Sequence, residues 1–335
     1  MIEIGLGVTL ISIINFTIRH AIPITLGSMS GILSERSGIV NIGIEGLMLM
    51  SAFTGFMMNV ALSKPGIDPN LQAAAVRFSI SIAVALLTGG ALGLLLAILS
   101  IQFKVNQIIG GTVINILALG LTGYFYDPEA NVPIKPNRLP ALIKNNPLPD
   151  PFDIELGSKT LHITLIHDLG ELLLDKNLIT VLTPILVFIL GWALFHTTWG
   201  LRTRSVGENP RAADTLGINV YRTQYTNLFL SGMMAGLGGG FLTLAAVPVF
   251  EENMTAGRGF IALAVMIFGN WRPSRAFVGA LFFGLANALQ GNLQQLGIPQ
   301  QLVSMLPYLL TIIVMAGFVG RVRPPAAEGQ VYETE

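Results

Sequence analysis

The chain contains no cysteine, which excludes disulfides, thiolate metal sites and cysteine nucleophiles together. Charge is also scarce, at 11% of 335 residues, and the 19 basic and 19 acidic side chains cancel. Such a balance argues against a nucleic-acid surface and leaves only the placement of Lys and Arg informative. No Gly-x-x-x-x-Gly-Lys-Ser/Thr run occurs, so the chain lacks a phosphate loop with which to hydrolyse ATP itself. The histidines His20, His162, His167 and His196 form no ligand cluster. His162 and His167 could share a metal by spacing, but no further ligand stands beside them. Paired carboxylates at catalytic spacing are missing from every apolar run, so no catalytic residue, metal or cofactor is expected. A cleavable leader is not expected either, because residues 1–16 lack a basic start and a small-residue cleavage pattern.

What is abundant is apolar sequence: 52% of residues are hydrophobic and the mean hydropathy is +0.66, too high for an ordinary soluble domain. An integral membrane protein follows. Crossing the hydrocarbon core takes about 20 mostly apolar residues. In the second half, residues 177–198, 223–246, 276–294 and 299–319 meet that length, while 260–270 is short enough to be a half-helix or a tilted span. The first half divides into five apolar segments, 4–18, 21–33, 44–62, 78–101 and 105–125. The expected fold is all-α, a single polytopic bundle over residues 1–335 with about 8 to 10 spans, some short or broken.

Orientation follows from basic residues in short loops. Arg202, Arg204, Arg211 and Arg222 place residues 199–222 in the cytoplasm, and Arg272, Arg275, Arg321 and Arg323 agree if each intervening segment crosses once. Residues 127–176, rich in Pro and Asn, then form an extracytoplasmic excursion. If all five early segments cross, both termini are cytoplasmic.

Three patterns carry chemistry. The first is the polar stretch from Ser34 through Glu35, Arg36, Asn41 and Glu45 to Gly46, set inside apolar sequence. A charge at a span centre costs roughly 2.5 to 3.5 kcal/mol, so such residues face protein or a watery path. Asn41, Glu45, Asn106, Gln107, Asn115 and Asn287, with Gln290 and Asn292, are candidates to line a path. Their amides suit a neutral, hydrogen-bonding solute, although interhelical hydrogen bonding is the commoner use of such residues. The second pattern is Gly207-Glu208-Asn209-Pro210-Arg211-Ala212-Ala213-Asp214-Thr215-Leu216-Gly217. Asn209 suits an N-cap, Pro210 the first helical position and Gly217 the left-handed residue past the end, which describes a short polar helix able to dock on another protein. The third is glycine, 37 in all, clustered as Gly89-Gly90-Ala91-Leu92-Gly93 and Gly236-Leu237-Gly238-Gly239-Gly240. Close helix packing is the first expectation for these clusters, and a hinge the second. A faint echo of Arg36-Ser-Gly-Ile-Val in Arg258-Gly-Phe-Ile-Ala hints at duplicated halves.

Ser34–Leu49, the run from Lys104 through Asn106-Gln107-Ile108-Ile109 to Thr122, the Gly207–Ile218 loop and the run Gly257–Pro273 together resemble permease subunits of bacterial ABC nucleoside importers, within the branched-chain amino acid and ribose permease group. The likeness covers most of the chain apart from the excursion. It implies two paired permease subunits, two separate cytoplasmic ATPase subunits and an external substrate-binding lipoprotein. It also implies that Gly207, Glu208, Asn209, Pro210, Ala212, Ala213 and Gly217 belong to the coupling helix seated in the ATPase, and that the Asn106-Gln107 form marks one of two permease types that pair as a heterodimer. Related permeases for a pentose, branched-chain amino acids or another purine-like solute are the alternatives within transport. A membrane scaffold without translocation is the alternative outside it.

Overall fold

The computed structural model describes residues 3–64, 66–126, 152–156, 159–163, 177–294, 301–302, 305, 309 and 322–333. They form α1 (Glu3–Glu35), α2 (Ile44–Leu62), the single turn α3 (Pro69–Gln72), α4 (Ala74–Ala97) continued by a π-helical turn (Ile98–Gln102), and α5 (Gln107–Phe125). After a two-stranded hairpin come α6 (Leu178–His196), α7 (Thr198–Glu208), α8 (Pro210–Thr215), α9 (Val220–Phe241) with a second π-helical turn (Leu242–Ala246), α10 (Arg258–Phe268) and α11 (Pro273–Gln294). Five of these stretches are long and apolar enough to cross a membrane, Ile44–Leu62, Ala74–Gln102, Gln107–Phe125, Leu178–His196 and Val220–Ala246. Apart from the hairpin, the described chain is a helical bundle, as the hydropathy dictates.

The expected bounds hold for α2, for α4 with its π turn, and for α6. The early segments 4–18 and 21–33 do not stand apart. They are one continuous helix, α1, with Pro23 inside it. Arg19 and His20 interrupt the hydropathy, but neither breaks a helix, and a proline within a membrane helix is tolerated where neighbouring helices re-satisfy the freed backbone. The first half therefore supplies four long helices rather than five segments. The expected span 299–319 lies outside the described residues, apart from residues 301–302, 305 and 309.

Burial decides which helix is central. Of the most apolar window in Val220–Ala246, 78% is buried, against 22% for α6 and 28% for α5. Helix α9 is thus the axis of the bundle, packed by α4, α1 and α2, while α5 and α6 turn apolar side chains such as Ile116, Phe188 and Trp192 outward. The α4–α9 crossing depends on bare backbone. A Cβ on Gly89 would strike the Gly232 carbonyl oxygen, and one on Gly232 would strike that of Gly89. Packing thus explains the glycines at this crossing.

The excursion contributes an antiparallel hairpin, Phe152–Leu156 with Lys159–Ile163, pairing Phe152 with Ile163 and Leu156 with Lys159. Elsewhere, helix ends converge. The Trp271 indole N–H donates to the Glu35 carboxylate at 2.6 Å, and the Arg36 guanidinium donates to the carbonyls of Asn270 and Trp271 at 3.3 to 3.4 Å. These bonds pin the turn between α10 and α11, where Asn270 and Trp271 both take positive φ, 52° and 54°, a region that side chains normally avoid.

Candidate functional site

Residues 36–43 leave the helix between α1 and α2, with Gly38 at φ +91°. A non-helical stretch inside a bundle exposes backbone groups that must be satisfied locally. The amides singled out in the sequence do this. The Gln107 side-chain oxygen accepts from the Val40 N–H at 2.7 Å. Asn115 accepts from the Gly46 N–H at 2.8 Å and donates to the Ile42 carbonyl at 3.0 Å. Asn41 donates to the Ser231 hydroxyl on α9 at 3.2 Å, and its own side-chain oxygen is buried without a partner.

Glu45 lies in the first turn of α2 and is only 8% exposed. One carboxylate oxygen accepts from the Gly257 N–H at 2.8 Å and the other from the Gly259 N–H at 2.6 Å. It thus caps α10, whose own N-cap position is Gly257 and has no side chain to offer. A carboxylate at a helix N-terminus satisfies orphan donors and complements the helix dipole. The structure therefore gathers Asn41, Glu45, Gln107 and Asn115 around one backbone break. It leaves Asn106 capping α5 at the surface and Asn287 bonded to Phe283 of its own helix.

A cavity of about 470 Å³ opens beside the turn that Glu45 caps, between α1, the π turn after α9 and residues 247–258. Its wall carries Phe16, Arg19 and His20 from α1, Leu242 and Ala246 from the π turn, and Glu251, Glu252, Asn253 and Arg258. Arg258 is held by the carbonyls of Met254 and Thr255 at 2.7 and 3.1 Å. A ring on one side and donors and acceptors on the other can hold a small flat polar solute. The amides singled out in the sequence do not include these residues, where His20 enters only as one of four unclustered histidines and Arg258 only as the opening of an echo. The available signal was the polar triplet Glu251-Glu252-Asn253 between two apolar runs.

The second candidate region is the short helix α8. Asn209 accepts from the Ala212 N–H at 3.1 Å, Pro210 takes the first position, and Gly217 stands at φ +77° just past the end. The Gly217 N–H donates to Asp214 O at 2.8 Å and the Ile218 N–H to Ala213 O at 3.1 Å, a double-bonded C-terminal stop. Ala213 is buried, while Leu216 is 80% exposed and projects from the helix end. Of the other residues there, Glu208 accepts from the Ala326 N–H at 3.4 Å and Gly207 O from the Ala327 N–H at 2.9 Å.

Those last bonds belong to a feature the sequence did not signal. Residues 322–333 run back over α7 and α8 as a strap. The Gly329 N–H reaches Gly38 O at 3.1 Å, the Tyr332 hydroxyl donates to Asp214 at 2.8 Å, and Lys104 pairs with Glu333 at 2.5 Å. Burial and the Asp214 carboxylate push the Tyr332 phenol up to about 12. Burial also holds the Glu328 carboxyl above its usual range, where it faces Glu35.

Residues 13–315 match the family described as branched-chain amino acid transport system / permease component. Among curated proteins, the chain is 38% identical to the guanosine ABC transporter permease protein NupQ of Bacillus subtilis, over 96% of each chain. It is 35% identical to the nucleoside ABC transporter permease protein NupC of Lactococcus lactis, over 93% of this chain and 94% of that one. A Haloferax volcanii protein, provisionally named a glucose ABC transporter permease, is 30% identical over 96% and 98%. A buried helical bundle with a broken polar hub, matched along nearly its whole length, leaves one conclusion: this chain is a multi-pass membrane protein that belongs to the permease-component family of branched-chain amino acid transport systems.

Proposed function

We propose that this subunit forms half of the pathway of an ATP-driven nucleoside importer. The observation that carries the proposal is identity of 38% and 35%, over more than nine-tenths of the chain, to two permeases named for guanosine and for nucleosides. The cavity beside Glu45 supports it, since Phe16 and His20 offer faces for a base and the neighbouring polar groups offer partners for a ribose. Asn41 has an unused oxygen beside the hub and is the amide we assign to the path. Glu45, Gln107 and Asn115 hold the path's walls through backbone bonds.

Helix α8 is the coupling element in this proposal. ATP binding would close two separate ATPase subunits against it, and the permease pair would switch between outward and inward cavities. The partner permease is a second, related chain, and an external lipoprotein delivers solute. Residues 199–222 and the strap face the cytoplasm. In this proposal α1, one helix of about 50 Å, crosses once, so Glu3 lies on the opposite side from the strap, the alternative to both termini being cytoplasmic.

A sugar is the second reading, favoured by the Haloferax relative. ATP-dependent uptake of radiolabelled guanosine and uridine by vesicles holding the assembled transporter separates the two. Uptake that resists ribose, glucose and leucine supports the nucleoside assignment; loss to any of these competitors removes it and keeps the permease.

A further inference from the structure

Two cavities on the α6 side share a wall. The first, about 660 Å³, is lined by four arginines, Arg36, Arg204, Arg272 and Arg323, with Glu208 the one carboxylate. Three of those guanidiniums surround a single ring, at 5.7 Å (Arg36), 5.1 Å (Arg204) and 5.6 Å (Arg272) from the Phe195 centroid. The ring face attracts each cation but does not neutralise it. Among the described residues none of the four makes an ion pair, and the Arg204 Nε is buried without a partner. Like charges gathered this closely favour an anion among them.

The second cavity, about 830 Å³, is an apolar groove between α6 and the start of α11, and it shares Phe195 and Arg272 with the first. Phe188 and Trp192 on α6 and Val278 on α11 stand along it with 74%, 55% and 64% of their surface exposed, and only 22% of the most apolar window of α6 is buried. Gly191 keeps its floor open, since a Cβ there would meet only Pro273, at 3.9 Å. A soluble phosphate would use the arginines and leave the groove idle. A lipid uses both, because basic pockets between spanning helices take anionic headgroups while apolar grooves take acyl chains.

We propose that these two cavities form one binding site for an anionic phospholipid of the adjoining leaflet, with its phosphate among Arg36, Arg204, Arg272 and Arg323 and an acyl chain along the Gly191 groove. The site closes on the arginine that pins the α10–α11 turn, so bound lipid fastens the helix ends next to the α7–α8 loop. The inference is independent of which solute crosses.

The test uses the purified, delipidated transporter and measures binding of phosphatidylglycerol, phosphatidylcholine and inorganic phosphate by native mass spectrometry. Phosphatidylglycerol should bind at least tenfold more tightly than phosphatidylcholine, and millimolar phosphate should not displace it. Pairing Arg204→Gln with Arg272→Gln should abolish the preference. Gly191→Leu, which touches no arginine, should weaken lipid binding several-fold by filling the groove. Equal affinity for the two lipids overturns the proposal, as does unchanged binding in Gly191→Leu. Displacement by phosphate alone would leave a soluble-anion pocket in its place. A photo-crosslinker at Val278 supplies the last arm: adducts to lipid support the site, and adducts to a partner subunit or to residues 303–321 of this chain overturn it.

Discussion

Glu45 is the residue at which sequence and structure diverge most usefully. A carboxylate within apolar sequence reads as a path-lining group, yet both of its oxygens are occupied by backbone N–H groups at 2.8 and 2.6 Å. Glu45→Ala should therefore lower stability by about 2 to 4 kcal/mol, through two buried donors left unsatisfied, and a thermal melt of the purified subunit should show it. Unchanged melting with lost uptake would return Glu45 to the path. Gly232 makes a second residue-level case. Gly232→Ala should separate α4 from α9 and cut the yield of folded protein, because the new methyl meets a carbonyl oxygen rather than a movable side chain. The control is Gly123→Ala on α5, where nothing lies within 4 Å and melting should not change. The type of these residues was legible in the sequence and their partners were not. Glu45 bonds across 212 and 214 positions, and no local pattern encodes a contact so distant.

At the scale of elements, local signals were read well and long-range ones poorly. The α8 helix was legible to its caps because Asn209, Pro210 and Gly217 act on their immediate neighbours. The fusion of α1 was not, since polar residues lower hydropathy without breaking a helix. The strap was not either, because residues 322–333 are held by bonds to α7, α8 and Gly38, more than a hundred positions away. Two outcomes are expected here. Leu216→Asp should leave melting unchanged, as the side chain is 80% exposed, but should uncouple ATP hydrolysis from transport in reconstituted vesicles; full coupling would detach α8 from the ATPase. The Glu328 carboxyl provides the second. Its folded value is raised by burial, so it favours the docked strap fully below the ordinary carboxylate range and loses that contribution as pH rises through the raised value. Hydrogen exchange in residues 322–333, corrected for intrinsic rates, should quicken as pH rises above the ordinary carboxylate range, and Glu328→Gln should weaken that dependence.

For the whole molecule, the bundle was legible because hydropathy alone sets which residues leave water, whereas handedness across the membrane hung on a single parity. With α1 taken as one crossing, the proposed topology puts Glu3 and the strap on opposite sides. The lack of cysteine makes the outcome direct to measure. Single Glu3→Cys and Val331→Cys chains, treated with an impermeant maleimide on intact cells, should label only at Glu3→Cys. Labelling of both, or of Val331→Cys alone, would reverse the assignment.

The Glu45 cap also has a meaning for biogenesis. A ribosome delivers α2 to the membrane long before it has made Gly257 and Gly259, so the nascent carboxyl group waits without the amides that will complete it. A chain released early would carry that carboxyl group unpaired. The same bond then acts as the closing stitch of assembly, joining the first-made half to the last only when the second half has been inserted.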